Sequence, residues 1–502
     1  MAANIKYTQP RFQRTIMRPV SVASMSDILK FLLAAVCLVP VFILAVNLPV
    51  GHQDEAAQKD ECDSHPLFTQ IVKQQINSMG RDVDRIIDEI LHGKEKHTTY
   101  GELALFCDKF GPRLSGSDSL AKAIDYMKNK MRNQSRLDVK AEKAMIPKWE
   151  VLRQDAEMIE PRRHKMSIMT LGGSVSTVGE LTGEVQLVHS FDELKRLGSE
   201  VAGKIVVFNY NFTTYGESVK FRTQGAKEAA RWGASAALVR SVTPYSIYSP
   251  HAGMATKSIP TAAITVEDAE LIERIIRRGQ KVWIHMAIET KSYDDVESYN
   301  LVGDIVGSER PEHVVLVSGH IDSWYNTDGA MDDGGGMMIS YKALDVLRKL
   351  NMTAKRTMRA VLWTSEEFGL IGAQQYFKDH RHELDNFKAV IESDEGTFTP
   401  LGLGYKNVGR LGRCALRHML KLTKRLHTHR LSDNYEGSDI ELFSDVGVPG
   451  LSLLNENSKY FYYHHTAGDS ITVEDPDALD RSTALFASTL YVLANLDINL
   501  RD

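Results

Sequence analysis

The chain has 502 residues, 43% hydrophobic and 25% charged, with a formal net charge of −5. That length exceeds one compact core and predicts two domains plus tails. The mildly acidic balance, without repeats or long low-complexity tracts, excludes a nucleic-acid binder relying on a basic face.

The first predicted element is a targeting segment over residues 1–50. Residues 31–46, from Phe31 to Val46, are apolar, and Lys6, Arg11, Arg14, Arg18 and Lys30 precede them. Such a run is short for a membrane span and fits the core of a signal peptide. The basic lead is long, so a retained signal anchor and a start at Met25 both stay open. Cleavage is the reading taken, with entry to the secretory pathway and a secreted or lysosomal destination. No stable membrane association is then expected unless the segment is retained. The triplets at Asn133, Asn211 and Asn351 are glycosylation acceptor patterns consistent with that route. Of four cysteines, Cys37 lies in the targeting segment. Cys62, Cys107 and Cys414 allow one bridge and leave one thiol over. None are spaced closely enough to suggest a metal site.

Residues from Cys62 to Ile146 read as helical, with Ser117 capping a helix that carries Leu120, Ala121, Ile124, Met127 and Met131. From Gly183 to Ile288 the texture changes to short strands, such as Gly203–Phe208 and Ala236–Val239. Helices intervene at Gly225–Trp232 and Val266–Arg277.

Four short apolar runs follow: His313–Ser318, Arg359–Trp363, Lys388–Ile391 and Pro449–Leu454. Each has the length and β-branched content of a buried strand. Met337–Leu350 between the first two places Met338, Tyr341, Leu344 and Leu347 at helical spacing. Strands alternating with helices predict an α/β fold with a mixed, mostly parallel central sheet flanked by helices. Ligands of such sheets bind beyond the carboxyl ends of the strands. His320, Glu366-Glu367 and Asp394 all follow strand ends, and Asp332 precedes the first helix. His, Asp and Glu are ligands for a borderline metal such as zinc. Asp322 is placed to hold His320 from behind. Each feature alone has a bland alternative: a solvated Glu-Glu face, a core histidine, a helix-entry turn at Gly334–Gly336. Their joint order makes that alternative poor. His427 and His429 read as exposed loop residues.

With Tyr463-His464-His465-Thr466-Ala467-Gly468-Asp469 added, the order resembles the co-catalytic zinc exopeptidases. Gly319-His320-Ile321-Asp322-Ser323-Trp324, Gly329–Gly336 and Trp363–Glu367 are closest to its carboxypeptidase branch. The resemblance implies two zinc ions (two Zn2+) bridged by Asp332. His320 and Asp394 would complete one ion, and Glu367 and a late histidine the other. Glu366 would be general base on a water between the ions, with Asp322 the second catalytic residue. It also implies a non-proline cis peptide after Asp332. The family spacing, with Asp469 four residues on, selects His465 over His464. Ser438 and Asp439 resemble a loop near the substrate pocket.

The resemblance further implies a catalytic domain in two pieces, 60–165 and 290–502. Residues 166–289 would form a smaller inserted α/β domain, similar to protease-associated domains through Val201–Ile205 and Ile259–Ile264. The expected activity is carboxypeptidase or dipeptidase action on short peptides by a homodimer. An aminopeptidase with the same metals is the alternative. A non-catalytic receptor or binding protein on this fold ranks last, because such a protein is expected to lose ligands.

Overall fold

The computed structural model describes residues 62–502. The expected targeting segment, and Cys37 within it, lie outside the described residues. Helical segments fill the first part of the described chain, among them Lys73–Ser78, Gly80–Leu91, Thr98–Phe110 and Asp118–Asn129. The Ser117 hydroxyl caps the last of these, accepting from the Leu120 amide at 3.1 Å. The expected helical texture ends there. Asp138–Ile146 is a strand, β1, contrary to the helical reading. Its helix-favouring residues (Lys140, Ala141, Glu142, Lys143, Ala144) are overridden by continuous antiparallel pairing with Val296–Asp304.

Two eight-stranded sheets follow. The second layer contains β2 (Trp149–Glu160), β3 (His164–Lys165), β4 (Ile168–Thr170), β5 (Leu181–Val188), β6 (Ile205–Phe208), β7 (Ala236–Arg240), β8 (Thr261–Ile264) and β9 (Trp283–Ser292). Its order is β3-β2-β9-β5-β6-β7-β8-β4. The strands of this sheet therefore start at Trp149, upstream of the expected boundary at 166, because β2 pairs with β9 along most of its length.

The main sheet contains β1, β10 (Val296–Ile305), β11 (Arg310–His320), β12 (Arg356–Trp363), β13 (Phe387–Glu392), β14 (Pro400–Lys406), β15 (Arg430–Ser432) and β16 (Gly450–Asn455). The order β1-β10-β12-β11-β13-β16-β14-β15 puts β11 at the centre, parallel to β12 and β13. Alternate residues of β11 serve opposite faces. Val315 and Val317 pack with the helices Gly335–Lys349 and Pro476–Asn495. Val314 and Leu316 pack with Trp363, Tyr376 and Phe443 on the other side. A strand buried on both faces needs an unbroken apolar run, which is what made β11 legible. The fold is thus α/β, with a mixed, mostly parallel sheet between helices, as expected.

A disulfide joins Cys62 to Cys414, and Cys107 remains a buried thiol. Asn133, Asn211 and Asn351 are exposed, as are His427 and His429. Among the described residues no helix is long and apolar enough to cross a membrane.

Candidate metal centre

The carboxyl ends of three adjacent parallel strands build the site. His320 is the last residue of β11, Glu366 and Glu367 follow β12, and Asp394 follows β13. Asp332 comes from the turn between β11 and the helix Gly335–Lys349, and the Asp332–Asp333 peptide is cis. His464 and His465 follow the short helix Tyr460–Tyr463, with His465 at a left-handed φ of 63°. Left-handed backbone at a non-glycine residue carries strain and gathers at functional sites.

The potential ligand atoms form two groups that share Asp332. One contains His320, Asp332 and Asp394; the other contains Asp332, His464 and His465. The atoms within each lie within 4.8 Å of one another. In the first group His320 Nε2 is 3.2 Å from Asp332 Oδ1 and 3.2 Å from Asp394 Oδ1. In the second, His465 Nε2 is 3.3 Å from Asp332 Oδ2 and 3.0 Å from Glu367 Oε2. His464 Nε2 is farther, 3.6 Å from Asp332 Oδ2. Glu366 belongs to neither group, with Oε2 3.9 Å from His320 Nε2.

The supports fix these groups from behind. His320 Nδ1 lies 3.1 Å from the Asp322 carbonyl oxygen, and His465 Nδ1 lies 3.1 Å from the Ala252 carbonyl oxygen. A carbonyl only accepts, so both Nδ1 atoms carry the proton and both Nε2 atoms face the centre as lone-pair donors. Asp322 does more than its expected support of His320. Its carboxylate accepts from the amides of Glu366 at 3.0 Å and Glu367 at 3.3 Å, clamping the Glu-Glu turn. The contact to the ring comes from its carbonyl, while Asp322 Oδ1 stands 3.6 Å from Nδ1. The Asp333 carboxylate takes the His320 amide at 2.9 Å and the Gly336 amide at 3.0 Å. Gly336 is needed there, since a Cβ would fall 2.0 Å from the Ser393 carbonyl oxygen. The Ser438 hydroxyl donates to Asp394, and Asp439 is fully buried behind it.

The electrostatics describe a place short of positive charge. Burial pushes Glu367 up to about 8. Burial and the Glu367 charge push Asp332 up to about 6. Burial, with Asp394 and Glu367 nearby, holds Glu366 well above the usual carboxylate range. Burial takes His465 down to about 4. Burial would lower His320 too, but the Asp394, Asp322 and Asp332 carboxylates outweigh it and raise it. Carboxylates crowded in a dry pocket cannot all ionise without a compensating cation. Glu367 Oε1 is buried and finds no partner among the described residues. Donor types, orientation and charge all fit divalent metal ions.

The residues open onto a cavity of about 330 Å³, walled by Tyr215, Arg222 and Met254 of the second layer and by Trp324, Tyr460 and Phe461. The structure brings together every expected ligand, with Glu366 and Asp322 beside them. Several supports escaped sequence reading. Asp469, used there only as a spacing mark, accepts from the amides of Met331 at 2.7 Å and Asp332 at 3.2 Å. Arg113, fully buried, donates to the carbonyls of Ile321 at 2.7 Å and Gly329 at 2.9 Å, holding the turn between His320 and Asp332. Arg222 and Ala252 had no local signal, because each reaches the site from a distant segment.

The family model for peptidase family M28 matches residues 300–490. The chain is 44% identical over 432 residues to carboxypeptidase Q of Pongo abelii, covering 85% of this chain and 91% of that protein. Among solved structures, a peptidase M28 precursor from Shewanella amazonensis SB2B superposes with a TM-score of 0.80 at 27% identity, covering 85% of this chain and 99% of that one. A zinc aminopeptidase from Bacillus subtilis shares the fold, with a TM-score of 0.61 at 20% identity over 80% of this chain and 95% of its own.

Proposed function

From the premise that the chain belongs to peptidase family M28, in the group of carboxypeptidase Q, we propose that this zinc metallo-exopeptidase removes the C-terminal residue of short peptides, dipeptides above all. One observation carries the reading: two ligand groups meet at Asp332, with the Glu367 carboxylate 3.0 Å from His465 Nε2 and the Glu366 carboxylate standing off at 3.9 Å from His320 Nε2. His320, Asp394 and Asp332 would hold one zinc ion, and Asp332, Glu367 and His465 would hold the other. Bound there, the pair supplies Lewis acidity toward the scissile carbonyl and a water made acidic enough to attack at neutral pH. Glu366 takes the proton of that water and delivers it to the leaving amine. Asp322 keeps Glu366 in place through its amide, and Asp469 keeps Asp332 in place through its own.

A cavity of about 330 Å³ is at the small end for ligand pockets and suits a short peptide. The second layer, read as a protease-associated insert, supplies part of its wall and excludes folded proteins. The Cys62–Cys414 bridge supports passage through an oxidising compartment, secreted or lysosomal. The homodimer follows from the family resemblance.

The test of terminus choice uses one dipeptide in free, N-blocked and C-amidated forms. The N-blocked form is expected to be cleaved and the C-amidated form to resist. If only the N-blocked form resists, the amine is being read and the aminopeptidase alternative takes over.

The two neighbouring histidines separate by metal content. His465 sits within 3.0 Å of Glu367, whereas His464 stacks on it with ring centroids 3.5 Å apart. His465→Ala is expected to lose one zinc equivalent and His464→Ala to keep both. Metal analysis giving the reverse assigns the ligand to His464.

A further inference from the structure

Arg222 sits on the helix Tyr215–Ala230 of the second layer and lines the catalytic cavity, yet is only 5% exposed. Burying a guanidinium is costly unless a carboxylate pairs with it. Among the described residues no carboxylate oxygen lies within ion-pair distance of Arg222. Its bonds go to neutral groups. Nη1 donates to the Ala252 carbonyl at 3.1 Å, and Nη2 donates to the Tyr215 hydroxyl at 2.6 Å. Nε is buried without a partner among the described residues. The surroundings are cut to fit the charge. Its Cζ lies 5.4 Å from the Tyr215 ring centroid. Gly253, at φ 145°, leaves the space a Cβ would take 2.3 Å from Cζ and Nε. The protein therefore holds a rigid, unpaired cation at the wall of a cavity whose other charged lining residues are acids and histidines.

An anionic group of the substrate is the missing partner. In a dipeptide the terminal carboxylate lies one residue from the scissile carbonyl, so its anchor must stand at the rim of the metal centre. Arg222 does, lining the same cavity as Asp332, Glu367 and His465. The planar fork of a guanidinium suits a carboxylate, and the remaining Nη hydrogens are free to give it. We propose that Arg222 receives the C-terminal carboxylate of the peptide and sets the choice of terminus. The inference rests on the carboxypeptidase reading above and assigns its specificity to one residue from the second layer.

The experiment compares a free dipeptide with its C-terminal amide in wild type, Arg222→Met and Arg222→Lys, with zinc content measured alongside. In Arg222→Met the KM for the free dipeptide should rise roughly 100-fold, the scale of losing one partner of a buried charged pair. The amide, already slow, should change little, and zinc should stay bound. Arg222→Lys, which keeps the charge without the fork, should fall between. Equal losses on both substrates, or a loss that tracks zinc release, overturn the inference. Should Arg222→Met fail to fold, Tyr215→Phe removes one acceptor of the guanidinium and should raise the KM of the free dipeptide alone by a few-fold. An unchanged preference in Tyr215→Phe counts against the anchor. The two readings fail separately. A wild type that cleaves the amide as fast as the free dipeptide sinks the carboxypeptidase reading. A wild type that discriminates, with an Arg222→Met that discriminates equally, sinks only the anchor.

Discussion

Glu366→Gln is expected to lower kcat for dipeptide hydrolysis by roughly 10²–10⁴-fold, the usual contribution of a positioned general base, while both zinc ions stay bound. Glutamine keeps the size and hydrogen-bonding shape of glutamate but cannot take a proton at neutral pH. The geometry separates this role from ligation. Glu366 Oε2 stands 3.9 Å from His320 Nε2, whereas Glu367 Oε2 lies 3.0 Å from His465 Nε2. Its amide is pinned at 3.0 Å by the Asp322 carboxylate, which also takes the Glu367 amide. The pair is thereby split, one carboxylate for the metal and the other for the proton. Without metal, burial and the nearby Asp394 and Glu367 charges favour the protonated form of Glu366, and bound cations would favour the ionised form from which a base takes its proton. Steady-state kinetics with zinc analysis on the same preparation decide the matter. Zinc lost in step with activity would make Glu366 a ligand and sink the assignment.

The ligand residues were legible because each stands next to a local signal. His320, Glu367 and Asp394 follow runs such as Val314–Val317, Arg359–Trp363 and Lys388–Ile391, whose apolar character comes from burial on both faces of the sheet. Parallel neighbours end at the same edge, so strand ends in sequence become a site in space. Asp469, Arg113 and Arg222 show what this reasoning cannot reach. Arg113 acts on carbonyls more than 200 positions away, and Arg222 on the Ala252 carbonyl 30 positions away. A hydrogen bond to a backbone carbonyl leaves no pattern in the residue that supplies the carbonyl. Strand β1 failed for a related reason, because its identity comes from its partner β10 and not from its own composition. The second layer's first strand escaped the sequence reading for the same cause: Trp149–Glu160 is paired by β9, far downstream.

Asp332→Asn carries the second large prediction, with opposite signs in the presence and absence of zinc. With zinc, activity should fall to background and the stabilisation by added metal should disappear, because both groups lose the carboxylate they share. Without zinc, the variant should be the more stable protein at neutral pH. Asp332 is raised from 3.8 to about 6 by burial and by the Glu367 charge. A carboxyl raised in the folded state gives stability that is whole below its unfolded value and is lost as pH climbs through the folded one. Zinc-stripped wild type should therefore weaken between about pH 4 and pH 6 from this residue, by roughly 3 kcal/mol at full ionisation. Glu367, raised to about 8, extends the loss upward in pH. Asparagine cannot ionise, so the variant escapes the first part of it, and removing that charge also eases the ionisation of Glu367. Calorimetric Tm values at pH 4 and pH 7.5, each with chelator and with zinc, test every part of this. The curves with chelator should come together at the lower pH and separate at the higher, with the variant above. Zinc should then reverse their order at pH 7.5, because wild type alone has the bridge that turns repelling carboxylates into a cage for cations. A variant that zinc stabilises as strongly as wild type would mean that Asp332 does not hold both ions.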